Sequence, residues 1–112
     1  MSYTDAISAS MLALSDPTRR AIIERLRAGP LPVCDLACGM TVSRPAVSQH
    51  LRVLSDAGLL VVTPLGNRRY YAIAPDGVAS LRLYLDQLWD DALAAYVAAA
   101  KHQAEKNKGS AK

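Results

Sequence analysis

The run Thr41–Arg69, TVSRPAVSQHLRVLSDAGLLVVTPLGNRR, leaves this chain little freedom in what it folds into. It reads as a helix that starts, stops and turns at once into a two-stranded ribbon with arginines at its tip. Ser43 suits an N-cap, because its hydroxyl can accept from an orphan backbone N–H of the first turn. Pro45 falls early enough that its missing N–H costs nothing, and Gly58 can take the left-handed conformation that ends a helix. Between them Val47, Leu51 and Leu54 recur at i, i+4 and i+7 and form one apolar stripe. Pro45, Ser48, Gln49 and Arg52 point the other way, with Arg44 at the margin. Such a polar face suits hydrogen bonding to base edges and phosphates in a major groove.

The stretches on either side fit that reading. Residues 4–14 form a short amphipathic helix on which Ile7, Met11 and Leu14 share a face, too short to stand without packing on something. Asp16-Pro17 restarts the chain as N-cap and first helical residue. The helix it opens runs to about Ala28 with Ile22, Ile23 and Leu26 inward. Its arginines read mainly as a solvated face, with Arg19 and Arg20 the two placed to touch phosphate. Pro32 opens a further short helix over Val33–Cys38, broken at Gly39. Two helices joined by a tight Gly-containing turn, the second with a polar outer face, make a helix-turn-helix. Leu59–Thr63 and Arg69–Ile73 around Leu65-Gly66-Asn67 make a β-hairpin. The fold class is therefore mainly α with a β-hairpin wing, a winged helix-turn-helix of about five helices. Arg68 and Arg69 on the wing would reach the DNA backbone or a minor groove.

A last helix starts near Asp76 and runs to about His102. Leu81, Leu85, Leu88 and Ala92 mark one face, and Leu83, Trp89, Leu93 and Val97 widen it beyond an ordinary amphipathic stripe. In so small a domain that helix has a second surface to cover. The economical answer is a homodimer in which the first and last helices pair across a two-fold axis, with Ile7, Met11, Leu85, Trp89, Leu93 and Tyr96 at the interface. A dimer also presents two recognition helices to half-sites about one DNA turn apart. Residues 1–102 form this DNA-binding and dimerisation domain, and 103–112 a polar, Lys-rich, frayed tail.

Charge becomes informative once it is mapped. The net charge is +3 over 112 residues. Residues 44–69 set Arg44, Arg52, Arg68 and Arg69 against Asp56 alone, while residues 70–100 set Arg82 against Asp76, Asp86, Asp90 and Asp91. All four lysines lie in the last twelve residues. Positive charge thus collects on the DNA face and negative charge on the helix after it. No apolar run approaches a membrane span and no signal segment opens the chain, so a soluble cytoplasmic protein is expected.

Three blocks, LSDPTRRAIIERL, SRPAVSQHLRVLSDAGLL and GNRRYYAI, resemble the ArsR/SmtB family of bacterial winged-helix repressors, in order and spacing, over about residues 8–100. The resemblance implies a homodimeric transcriptional regulator that binds a palindromic operator and is usually released by an effector. In the arsenic-sensing members, the helix before the recognition helix carries Cys-Val-Cys-Asp. The matching segment here is Pro32-Val33-Cys34-Asp35, with Cys38 one helical turn further on. Thiolates at i and i+4 face the same side, yet two ligands make a weak site. Two small structural residues is the preferred reading, and an arsenical, thiophilic-metal or redox sensor at Cys34 and Cys38 is the alternative. The family's other metal site, on the last helix, keeps Asp86 and His102, but Leu88 and Ala99 stand at its remaining positions.

No cofactor and no metal are therefore expected. The effector is left open. An enzyme is not expected, since no histidine is placed to activate either thiol and no Gly-rich phosphate loop is present. The expected DNA-binding residues are Ser43, Arg44, Ser48, Gln49, His50, Arg52, Arg68 and Arg69. For His50, on the flank of its helix, a phosphate contact and a satisfied boundary histidine are equally open. Tyr70 and Tyr71, adjacent on a strand, face opposite ways, one to the core and one to the wing surface.

Overall fold

The computed structural model describes residues 2–110, with side chains to Lys108. Its elements are α1 (Tyr3–Leu14), α2 (Pro17–Leu26), β1 (Leu31–Pro32), α3 (Val33–Ala37), α4 (Arg44–Asp56), β2 (Leu60–Leu65), β3 (Arg68–Ile73) and α5 (Pro75–Ser110). The first compact unit ends at Leu81 and a second begins at Arg82.

Helix α4 has the ends that its sequence specifies. Ser43 Oγ accepts from the Ala46 N–H at 3.3 Å. At the other end Gly58 takes φ +81, its N–H donates to Ser55 O at 3.0 Å, and the Leu59 N–H donates to Leu54 O at 3.0 Å. Those two bonds satisfy the last carbonyls in the Schellman pattern. Val47, Leu51 and Leu54 are fully buried and pack with Ile22, Leu26, Leu36, Leu59 and Leu60 in one core.

The helices before α4 are bound to it and to one another largely through backbone carbonyls. Ser10 Oγ donates to Ala57 O at 3.4 Å, tying α1 to the end of α4. Arg19 Nε donates to Ala13 O at 2.6 Å and Arg20 Nη1 to Leu14 O at 2.8 Å. Both arginines therefore satisfy the open carbonyls at the end of α1. Arg25 Nη1 does the same for Cys38 O at 2.5 Å. Asp16 Oδ2 caps α2 by accepting from the Arg19 N–H at 3.0 Å.

Four details differ from the sequence reading. The wing belongs to a three-stranded antiparallel sheet of order β1-β3-β2, with Leu31 opposite Tyr71 and Pro32 opposite Tyr70. Pro32 is thus a buried strand residue and only the cap position of α3. Helix α3 stops at Ala37, and Cys38 is extended at ψ 123. Ile7, expected at a partner interface, is only 5% exposed and is spent inside its own chain, whereas Met11 and Leu12 stay exposed. Helix α5 continues past His102, so residues 103–110 are helical rather than a frayed tail; Ala111 and Lys112 lie outside the described residues. Tyr71 packs against the core, and Tyr70 borders the outer side of the wing.

The start of α5 is seated on the turn after α4. The Ala74 N–H donates to Leu59 O at 2.8 Å, and a Cβ built on Gly77 would collide with Gly58 O. No side chain fits there. Gly77→Ala should therefore destabilise the fold by roughly 2–3 kcal/mol in spite of alanine's better helix propensity. Denaturant unfolding measures this, and a neutral or stabilising result would refute the close approach.

A second test uses the α2 cap. The Arg19 backbone N–H chiefly holds the Asp16 carboxyl below its usual value of 3.8; partial desolvation opposes this, and the charges of Arg19 and His50 add to it. A lowered folded pKa means that its stabilisation is complete above 3.8 and is lost as pH falls through the lower folded value. Asp16→Asn, which keeps the acceptor, should remove this site's part of the acid destabilisation, whereas Asp16→Ala should be less stable at neutral pH. Thermal melts at graded pH read both effects.

Candidate nucleic-acid interface

With its apolar stripe buried, α4 has one face left for solvent. Arg44, Pro45, Ser48, Gln49 and Arg52 are all exposed on it. Ser43 is exposed too, and its hydroxyl, which accepts from Ala46, still has a proton to donate. Arg52 meets Asp56 at 4.0 Å with both side chains well exposed. Such a pair contributes little, so Arg52 can exchange it for another acceptor at small cost.

His50 sits apart from this group. It is half-buried on the flank of α4, its charge reaches Asp16 at the cap of α2, and its Nδ1 is buried with no hydrogen-bond partner. The other face of α4, not the flank, carries the polar group of Ser48, Gln49 and Arg52.

The wing brings further cations. Gly66, at φ +63, takes the first of two turn positions between β2 and β3, where a tight hairpin turn calls for positive φ. Arg68 and Arg69 follow at once, opposite Leu65 and Pro64, and both are exposed. Successive strand residues leave a sheet on opposite faces, but at the tip both border one cleft of about 420 Å³. Arg44 and Asn67 border it as well, with Pro32, Val33, Cys34 and Tyr71. Arg44 from the helix and Arg68 and Arg69 from the wing are thus gathered in one place, and none of them forms an ion pair among the described residues. Asn67 had read only as turn material; its place in the cleft depends on β1 and β3, whose pairing no local pattern announces.

The chemistry that this arrangement can perform is anion and base-edge recognition. Guanidinium groups supply charge and paired donors for phosphate or guanine, and Gln49 supplies a donor and an acceptor. The cysteines do not form a comparable site. Cys34 is half-buried, with its Sγ 3.6 Å from Asp35 Oδ1, and Cys38 is exposed beyond the end of α3. The two therefore do not share a helical face. Among the described residues no group of three or more His, Cys, Asp or Glu could hold a metal. On α5, Asp86 is engaged with Arg82 at 3.6 Å. Two thiols that do not share a helical face make a poor metal site. Among the described residues no helix is long and apolar enough to cross a membrane.

Comparison with known proteins gives this geometry a context. Residues 16–61 match the bacterial regulatory protein, arsR family. The HTH-type transcriptional regulator Rv2034 of Mycobacterium tuberculosis is 56% identical over 84 residues, which span 75% of this chain and 78% of that protein. The arsenical resistance operon repressor of Escherichia coli is 35% identical over 77 residues, 68% of this chain and 66% of that protein. Among solved structures, the homodimeric winged helix-turn-helix DNA-binding domain of Mb0332 from Mycobacterium bovis superposes with a TM-score of 0.64. It has 27% identity, over 79% of this chain and 82% of that one.

If the thiols are structural, protein purified under reducing conditions should carry two titratable thiols and no stoichiometric metal, with Cys38 reacting faster than Cys34. Zinc or cadmium bound at one equivalent would reverse that assignment.

Proposed function

The chain belongs to the ArsR family of bacterial regulatory proteins, with a DNA-binding winged helix-turn-helix, and from that premise we propose that it is a cytoplasmic repressor. It binds a palindromic double-stranded operator as a homodimer and needs no metal to do so. The observation that carries this reading is the convergence of Arg44, Arg68 and Arg69 beside the exposed Ser48, Gln49 and Arg52 face. In it, Gln49 and Arg52, with Ser48, read base edges in the major groove. Ser43, Arg44, Arg68 and Arg69 hold phosphates on either side and set the register. His50 serves at most as a phosphate contact at the edge.

Repression follows the E. coli relative, whose name says as much, and dimerisation follows the homodimeric Mycobacterium bovis domain. The dimer surface is assigned to Met11, Leu85, Trp89, Leu93 and Tyr96, all exposed in the single chain. DNA binding and dimerisation belong to residues 1–102, and the Lys-rich residues 103–112 stand outside both. Independence from metal rests on the poor fit of the two thiols. One observation favours a second reading, in which a thiol reagent or arsenical acts at Cys34: that residue borders the cleft of the three arginines.

Mobility shifts with the promoter of the protein's own gene decide between these readings. The metal-free protein should shift the fragment at low salt, and arsenite should leave the shift unchanged; release by arsenite supports the second reading. Gln49→Ala or Arg52→Ala should cost about 1–3 kcal/mol against the cognate site and relax preference at single base pairs. Arg68→Ala or Arg69→Ala should weaken binding to all sequences and reduce the salt slope by about 0.9 for each phosphate that is no longer neutralised. No shift under any low-salt condition would sink both readings.

A further inference from the structure

We propose that the cleft between the wing and α3 binds a small phosphate monoester with a flat apolar body, and that this ligand and operator DNA compete for the same arginines. The inference rests on the reading of Arg44, Arg68 and Arg69 as phosphate holders and adds to it a ligand that releases them.

Holding DNA uses only one side of the cleft. Arg44, Asn67, Arg68 and Arg69 are exposed and border it from without. Pro32 is buried and Val33, Cys34 and Tyr71 are half-buried, so these four border it from the side of the fold. Val33 and Tyr71 also pack against the core, which fixes that side in place. A sugar–phosphate backbone, held by its charges, has no use for a wall that is apolar, aromatic and thiol-lined. A small ligand does. The cleft of about 420 Å³ falls in the range of about 300–1,000 Å³ typical of small-molecule sites, which join an apolar lining to a few convergent polar groups.

Charge sets the class of that ligand. Among the described residues no Asp or Glu borders the cleft, and none of its three arginines forms an ion pair. Asp35, next in sequence to the inner side, is exposed and lies 3.6 Å from the Cys34 thiol. Guanidiniums gathered without a counter-charge repel one another, and an anion among them attracts them all. A phosphate monoester brings about −1.5 to −2 at pH 7 and three acceptor oxygens, enough for several planar forks at once. A backbone phosphodiester has a single negative charge and is tied to the duplex on both sides, so it stays at the rim. A flat ring beside the phosphate suits the remaining space, with Tyr71 and Val33 to pack on and guanidinium planes to stack against. A ligand that engages Arg44, Arg68 and Arg69 withdraws them from DNA, and by linkage bound DNA weakens the ligand to the same degree.

Phenyl phosphate is the probe, added to the full chain with sodium chloride of equal ionic strength as the control. Calorimetry without DNA should show saturable binding of one phenyl phosphate per chain, about tenfold tighter than inorganic phosphate, with no binding of phenol. At ten times its dissociation constant, phenyl phosphate should raise the dissociation constant of the operator complex about tenfold for each cleft on the DNA. Cys34→Leu fills the inner side of the cleft and alters no residue assigned to DNA. It should shift the operator as wild type does and lose both the binding and the effect of phenyl phosphate, whereas Cys34→Ser, of equal size, should keep both. The comparison of phenyl phosphate, inorganic phosphate and phenol on wild-type protein needs no variant and stands even where Cys34→Leu does not fold. If wild type shifts the operator but binds phenyl phosphate no better than inorganic phosphate, or not at all, the site is overturned and the repressor reading stands. Equal release of DNA from wild type and Cys34→Leu also overturns it. Protein that never shifts DNA overturns the competition together with the reading on which it rests.

Discussion

Burial of Val47, Leu51 and Leu54 is the constraint on which the rest depends. These three side chains fix the rotation of α4 about its own axis, and that rotation decides which residues are left to solvent. The core they enter is shared by α2 through Ile22 and Leu26, α3 through Leu36, and β2 through Leu60. Neither end of the helix can slide, because Ser43 caps one and the Gly58 turn closes the other. The close approach of Gly77 to Gly58 then seats the start of α5 on that same turn. Ser48, Gln49 and Arg52 therefore point outward because the apolar stripe behind them has only one place to go.

The arginines divide by their partners. Arg19, Arg20 and Arg25 spend their guanidinium groups on carbonyls at the ends of α1 and α3. This is structural work, since those carbonyls have no donor left inside a helix. Arg44, Arg68 and Arg69 have no ion-pair partner among the described residues, and Arg52 has only a long, exposed one. Charge that a fold does not consume is available to a ligand. Residues 1–43 and 44–69 have four arginines each; what separates them is the backbone around them, not their number.

Much of this could be read from residues alone where the signal was local. Asp16-Pro17, Ser43 and Gly58 are end signals whose chemistry acts within four residues, and each stands where the sequence placed it. What escaped was set from a distance. The two residues of β1 have no periodicity to detect, and pairing with β3, some forty positions later, makes them a strand. Cys38 looked like the next turn of α3, but Arg25 binds its carbonyl where the helix stops. On α1 Ile7 and Met11 stand one turn apart on the same face, so they looked equivalent, and packing put one inside and left the other exposed. The α4 face was legible because it is the complement of a clear stripe. The arginine cleft was not, since it needs the wing folded beside α3.

The length of α5 raises a different question, which is what keeps it helical. From Pro75 to Ser110 it is continuous, yet beyond Leu81 its large apolar side chains stand exposed. Trp89 is 66% exposed and Tyr96 74%. Helices in water draw most of their stability from a buried face, and leaving such residues wet forfeits about 1.5–3 kcal/mol for each large apolar side chain. A surface of this kind ties the order of the helix to whatever covers it. If a second copy is the cover, folding of this segment and association are one equilibrium, governed by protein concentration. Two recognition helices would then be presented together only at concentrations where that association is complete. A weak single domain would become a selective reader of a two-fold site through a helix that touches no base.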